Sequence, residues 1–62
     1  MNAEKFANKL DASVKEKVLA YDERENSCVF HVRGKAPLTI DRHDIEDSPL
    51  LAMEDVREYV GP

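Results

Sequence analysis

Cys28-Val29-Phe30-His31-Val32-Arg33-Gly34-Lys35-Ala36-Pro37-Leu38-Thr39-Ile40-Asp41 decides the fold. Its first five residues are mostly β-branched or aromatic, the composition of a strand. Alternation puts Cys28, Phe30 and Val32 on one face and Val29, His31 and Arg33 on the other. Phe30 and Val32 mark the first face as buried. Arg33-Gly34-Lys35 then reads as a tight turn, with Gly34 supplying a positive φ. Residues 36–41 return as a second strand. Pro37 has no N–H for a ladder, so this strand lies at an edge or begins after the proline. Leu38 and Ile40 share a face and are expected to join Phe30 and Val32. The centre of the chain is thus a β-hairpin, with strands at about 28–33 and 36–41.

Downstream, residues 41–47 read as a short helical turn or loop capped by Asp41. Ser48-Pro49 pairs an N-cap residue with proline at the first helical position, where a missing N–H costs nothing. Gly61-Pro62 is a stop signal. These bound a helix over 49–60, with Ala52, Met53, Val56, Tyr59 and Val60 on one side and Glu54, Asp55, Arg57 and Glu58 on the other. Glu54 and Arg57 are spaced to pair at i,i+3.

Upstream, Ala3, Ala7, Leu10, Val14, Val18 and Tyr21 recur at helical spacing and predict an amphipathic helix over 3–20, with Asn2 as its cap. Asp11 and Lys15 are spaced as a favourable i,i+4 pair. Two alternatives stay open. Asp11 is a cap residue for a new helix, and Ser13-Val14-Lys15-Glu16 matches a capping box, so the helix can break near residue 11. Residues 17–22 also include the apolar run Val18-Leu19-Ala20-Tyr21, whose periodicity fits strand as well as helix. Residues 22–27 are polar and turn-like.

The expected architecture is a single small α+β domain over 1–62, ordered helix, β-hairpin, short turn, helix. A two-stranded hairpin is not stable alone and must pack on the helices. The candidate core is Phe6, Leu10, Val14, Val18, Phe30 and Val32, together with Leu38, Ile40, Ile45, Leu51, Val56 and Val60. That is thin for 62 residues. A chain of this size buries only about 60% of its unfolded surface, so a partner or a second copy is expected to supply the rest.

Composition bounds the function. The chain is too short for a Rossmann unit or a TIM barrel. It has no bilayer-length apolar stretch, and its first residues lack the apolar segment of a signal peptide. One cysteine forms no internal disulfide, which points to a reducing, cytoplasmic setting. Charge is uneven. Residues 1–20 carry four lysines against three acids, a net of +1, while residues 21–62 carry five bases against ten acids, a net of −5. The acidic part repels phosphate and favours a basic protein surface.

No constellation in the sequence argues for catalysis, and the chain is not expected to be an enzyme. Cys28-x-x-His31 has zinc-like spacing, but alternation puts the two on opposite faces and no second ligand pair follows. Asp41-x-x-Asp44 lacks the pattern of an EF-hand. Cys28 reads as a half-buried apolar thiol rather than a nucleophile, and neither metal nor cofactor is expected. Asp44, Glu46, Asp47, Glu54 and Glu58 are the candidate partner-binding residues. Arg33, Lys35 and Arg42 form a candidate basic hairpin tip.

Val29–Lys35, Leu38-Thr39-Ile40 and Asp47–Met53 together resemble the opening of a BTB/POZ domain of the tetramerisation (T1) type. That family starts with a strand ending in Val-Gly-Gly, a hairpin return and a helix of Ser-x-Leu-x-x-Met character. The likeness spans residues 29–53. Arg33-Gly34 stands where the family has two glycines, and the usual hairpin aromatic is missing. The resemblance implies an oligomerisation or protein-interaction module. The reading is therefore a non-catalytic interaction or assembly module that self-associates, with a homodimer as one form. The alternative is an acidic regulator that binds the basic site of a nucleic-acid-handling protein. Nucleic-acid binding through the hairpin tip ranks third.

Overall fold

The computed structural model describes residues 1–61, so Pro62 of the expected Gly61-Pro62 stop lies outside the described residues. The elements run α1 (Ala3–Asn8), α2 (Ala12–Lys15), β1 (Val18–Glu23), β2 (Ser27–Val32), β3 (Leu38–Asp41), α3 (Arg42–Asp47) and α4 (Pro49–Val60). The sheet has three antiparallel strands in the order β1-β2-β3, which puts β2 at the centre. The fold is α+β.

The central hairpin forms as its residues dictate. In β2, Cys28, Phe30 and Val32 are buried while Val29 and His31 on the other face are only half-buried. Gly34 turns the chain at φ +72°, where any side chain is strained. β3 begins at Leu38, one residue past Pro37, which is therefore spared a place in the ladder. Ile40 is buried opposite Cys28, and Leu38 lies half-buried opposite Phe30.

The N-terminal third departs from a single helix over 3–20. Asn2 does cap α1, its Oδ1 accepting from the Lys5 N–H at 2.8 Å. The chain then breaks at Lys9–Asp11, and α2 starts with the Val14 and Lys15 N–H groups donating to the Asp11 carbonyl. The Lys15 ammonium reaches the Asn8 carbonyl across the break. From Val18 the backbone is extended and pairs with β2, Tyr21 opposite Phe30 and Asp22 opposite Val29. The break near residue 11 and the extended 17–22 segment are thus both realised. Tertiary pairing explains the change. A helix to residue 20 would leave the outer N–H and C=O groups of the central strand without partners, and buried backbone groups are rarely left so. Phe6, Leu10 and Val14 remain core residues: Phe6 and Val14 are buried from their short helices, and Leu10 is buried at the break between them.

The helices cover one face of the sheet. Phe6 of α1 meets Phe30 of β2, ring centroids 5.6 Å apart, and Phe6, Phe30, Ile45, Val56 and Cys28 form the most deeply buried set. Burying a side chain of this kind contributes about 1.5–3 kcal/mol. Cys28 is fully buried rather than half-buried. Leu51, expected in the core, is instead 65% exposed. The inward stripe of α4 is Ala52, Val56 and Val60, spaced by four, and Leu51 lies about 100° away from Ala52. Ala3 and Ala52 are also buried.

The expected caps hold in outline. Asp41 Oδ1 accepts from the His43 N–H at 2.9 Å. Ser48 precedes α4 and Pro49 opens it, but the Ser48 side chain makes no capping bond, and its carbonyl accepts from Ala52 instead. Gly61 ends α4 at φ +76°.

Candidate interaction surface

β1 is the most exposed strand of the sheet, because every residue from Leu19 to Glu23 is exposed. Among the described residues, no element lies beyond it in the sheet order. The register slips between Val18 and Ala20, so Leu19 is the extra residue of a β-bulge. Leu19 is 61% and Tyr21 36% exposed. Tyr21 leans on Phe30, ring centroids 6.2 Å apart. Phe6, Phe30 and Tyr21 therefore form an aromatic series running from the core to the sheet edge. Beside them lies an open groove of about 390 Å³, walled by Ala7 and Leu10 on one side and by Val18, Leu19, Ala20 and Tyr21 on the other.

A second depression, about 240 Å³, separates the α1–α2 segment from α4. Leu10, Val14, Leu50 and Met53 form its apolar lining, and Glu54 and Arg57 stand among its charged residues. Leu50, 78% exposed, and Leu51 lie on the outward side of α4. Glu54 and Glu58, one turn apart, share that outward side. Asp44, Glu46 and Asp47 are exposed on α3, where Asp47 pairs with His43 at 3.0 Å.

The basic trio does not form one cluster. Arg33 and Lys35 sit in the β2–β3 turn, but Arg42 begins α3 at the opposite end of the sheet. There its Nη1 donates to the Arg24 carbonyl at 3.1 Å, and its own N–H donates to the Asn26 carbonyl, so Arg42 holds the β1–β2 turn. Lys35 is drawn to α4. Its ammonium donates to the Tyr59 carbonyl and lies 5.3 Å from the Tyr59 ring centroid. The Tyr59 hydroxyl donates in turn to the Ala36 carbonyl. The hairpin tip is therefore stapled to the end of a helix, where a cation also meets the negative end of the helix dipole.

Cys28 and His31 point to opposite faces of β2. Burial and the nearby Glu23 carboxylate push the Cys28 thiol up to about 11, so it stays protonated near neutral pH. His31 Nε2 lies 2.9 Å from Asp22 Oδ2 on the outer sheet face. Among the described residues, no three His, Cys, Asp or Glu side chains gather where one metal ion could be held. Likewise no helix among them is long and apolar enough to cross a membrane.

The β1 edge is the surface that the helical reading of residues 3–20 hides. Its signal in the sequence is the run Val18-Leu19-Ala20-Tyr21 followed closely by the polar turn at 24–26. Compared with protein-family models, curated proteins and solved structures, the chain matches none.

Proposed function

We propose that this chain is a non-catalytic protein-interaction or assembly module that self-associates through the open edge of its sheet. The observation that carries the reading is β1, an edge strand with Leu19 and Tyr21 exposed beside an apolar groove. An edge of this kind offers unpaired backbone groups and apolar side chains together, the combination that recruits another strand. The likeness of residues 29–53 to the start of a BTB/POZ domain suggests the same class of function. A protonated, buried Cys28 favours a structural thiol over a nucleophile and suits a reducing, cytoplasmic compartment.

Sedimentation equilibrium across micromolar concentrations tests the reading. The expected mass is twice the 7.1 kDa of one chain, returning to one chain in Leu19→Glu. A single chain at every concentration would overturn self-association.

A second reading is favoured by α4, where exposed Leu50 and Leu51 adjoin Glu54 and Glu58. An apolar patch with an acidic border suits a basic protein partner, as an acidic regulator of a nucleic-acid-handling protein would require. Asp44, Glu46 and Asp47 extend the acidic character over α3. Charge reversal at Glu54 and Glu58 is expected to abolish capture of such a partner, and unchanged capture would remove this reading. Direct nucleic-acid binding by the hairpin tip remains third, with Lys35 already engaged by Tyr59 and Arg42 at the far end of the sheet.

A further inference from the structure

We propose that the outward side of α4 docks a basic amphipathic helix of a partner protein, with an apolar side chain of that helix seated in the depression beside Leu50. This rests on the second reading above and specifies the partner's form. Charge comes first. Residues 44–58 hold six acids (Asp44, Glu46, Asp47, Glu54, Asp55 and Glu58) against Arg57, a net of −5, and all six carboxylates are exposed. The whole chain carries −4, so the other residues sum to +1. The acidity is thus confined to one segment, whereas charge that serves solubility alone works with both signs interspersed over the surface. The same segment holds Leu50 and Leu51, 78% and 65% exposed and outside the core cluster. Both are more exposed than Leu19 or Tyr21. The most exposed apolar side chains and the net charge of the chain therefore coincide.

Helical spacing sorts these residues into two adjoining stripes. Leu50, Met53, Glu54 and Arg57 follow i, i+3, i+4, i+7 and form the α4 wall of the 240 Å³ depression, with Leu10 and Val14 also lining it. Its charged lining is balanced, Lys9 and Arg57 against Asp11 and Glu54, so the depression selects an apolar side chain rather than a charge. Leu51, Glu54, Asp55 and Glu58 repeat the same spacing one residue on, and every charge in that stripe is negative. A ligand lying along α4 meets an apolar seat on one side and carboxylates on the other. The matching surface is an apolar stripe bordered by lysines or arginines.

The helical form follows from the backbone. Mid-helix N–H and C=O groups of α4 bond within the helix, so this surface cannot extend a strand as a sheet edge does. Contact has to come from side chains, and a second helix supplies anchors at i, i+3, i+4 and i+7 along a groove of this kind. α4 spans 12 residues, about 18 Å, which a partner helix of roughly three turns covers. Nucleic acid and anionic lipid carry the wrong sign for this face.

Fluorescence anisotropy with a labelled synthetic peptide of about 14 residues tests the proposal. The probe has leucines at i, i+3, i+4 and i+7 and lysines elsewhere. One control exchanges the lysines for glutamates, and another places a proline at the middle to break the helix. The protein is expected to bind the probe at micromolar concentration and to ignore the glutamate control. Leu50→Ser with Leu51→Ser, and separately Glu54→Gln with Glu58→Gln, are each expected to weaken binding at least ~10-fold. Amide shift mapping on the wild-type chain gives a readout free of substitutions, with changes expected at Leu10, Leu50, Met53 and Glu54. Shift changes confined to other elements overturn the proposal. Unweakened binding by the leucine variant overturns it as well, since charge alone would then hold the peptide. Self-association of the wild type that disappears in the leucine variant also overturns it, because a second copy then occupies the face. Equal binding of the proline control removes the helical form and leaves the second reading standing. No binding of the lysine probe in roughly 20 mM salt, where charge attraction is least screened, removes both.

Discussion

β1 and β3 are the two edges of one sheet, and they are finished differently. β3 has four residues, Pro37 stands before it and α3 follows it directly. The turn leading into it is tied to α4 by the Lys35–Tyr59 and Tyr59–Ala36 hydrogen bonds. β1 has six residues, a bulge, and exposed side chains on both faces from Leu19 onward. Shortness, proline and helical cover are the devices by which natural sheets close an edge. They are gathered on the β3 side, while β1 has the bulge and the charges of Asp22 and Glu23 but exposes Leu19 and Tyr21. The contrast separates an edge built for stability of the chain from one available for contact.

Mutations on the two sides are expected to act on different quantities, and the largest effect should come from the strand between them. Phe30→Ala removes a fully buried ring in contact with both Phe6 and Tyr21. It is expected to cost about 3–5 kcal/mol, as much as a domain this small commonly has. Circular dichroism should show an unfolded chain at 25 °C, and a cooperative melt near that of the wild type would break the picture of a Phe30-centred core.

Alkaline pH is the next lever. The ordinary value for Cys28 is 9.0 and burial raises it to about 11, so the unfolded chain loses its thiol proton first. The contribution is full below pH 9 and declines between pH 9 and 11, by on the order of 2 kcal/mol. Urea titrations at pH 8 and 10.5 should show a steeper loss in the wild type than in Cys28→Ala. Equal slopes would mean that the thiol is not desolvated.

Smaller effects probe the closed edge. Tyr59→Phe removes the bond to the Ala36 carbonyl, and Arg42→Ala releases the β1–β2 turn. Each is expected to cost about 1 kcal/mol in urea unfolding, the usual net worth of one hydrogen bond. The smallest effect on stability is expected at the open edge. Leu19→Glu should leave unfolding of the dilute monomer within about 0.5 kcal/mol of wild type, while it is expected to abolish the proposed self-association. A monomer strongly destabilised by Leu19→Glu would show that β1 serves the fold rather than the contact.

Legibility followed the same divide. Residues 28–41 and 49–61 declare themselves through local rules: alternation about Phe30, a glycine at a positive φ, a proline just before a strand, a proline opening a helix. Those signals need no distant partner. Ala3–Asn8 was also readable, through Asn2 and the helical stripe. Residues 17–22 were not, since Val18-Leu19-Ala20-Tyr21 suits either period and only the empty side of β2 selects the strand. The candidate surface was hidden for the same reason. The exposure of the acidic residues is legible from charge alone, but sequence does not reveal that Arg42 occupies the end of the sheet opposite Arg33 and Lys35.

By itself the sequence determined an α+β chain with a β2–β3 hairpin, a capped C-terminal helix, an acidic outer surface and a stripe of core positions from Phe6 to Val60. These rest on short-range periodicity and on the restricted φ of glycine and proline. Tertiary structure alone decided that the N-terminal helix ends early, that its last third becomes β1, and that Leu51 faces outward while Ala52 is buried. The backbone groups of a central strand must be paired on both sides, and the nearest unsatisfied segment supplied the pairing. That exchange completed β2 and moved the open edge to β1, where the proposed contact lies.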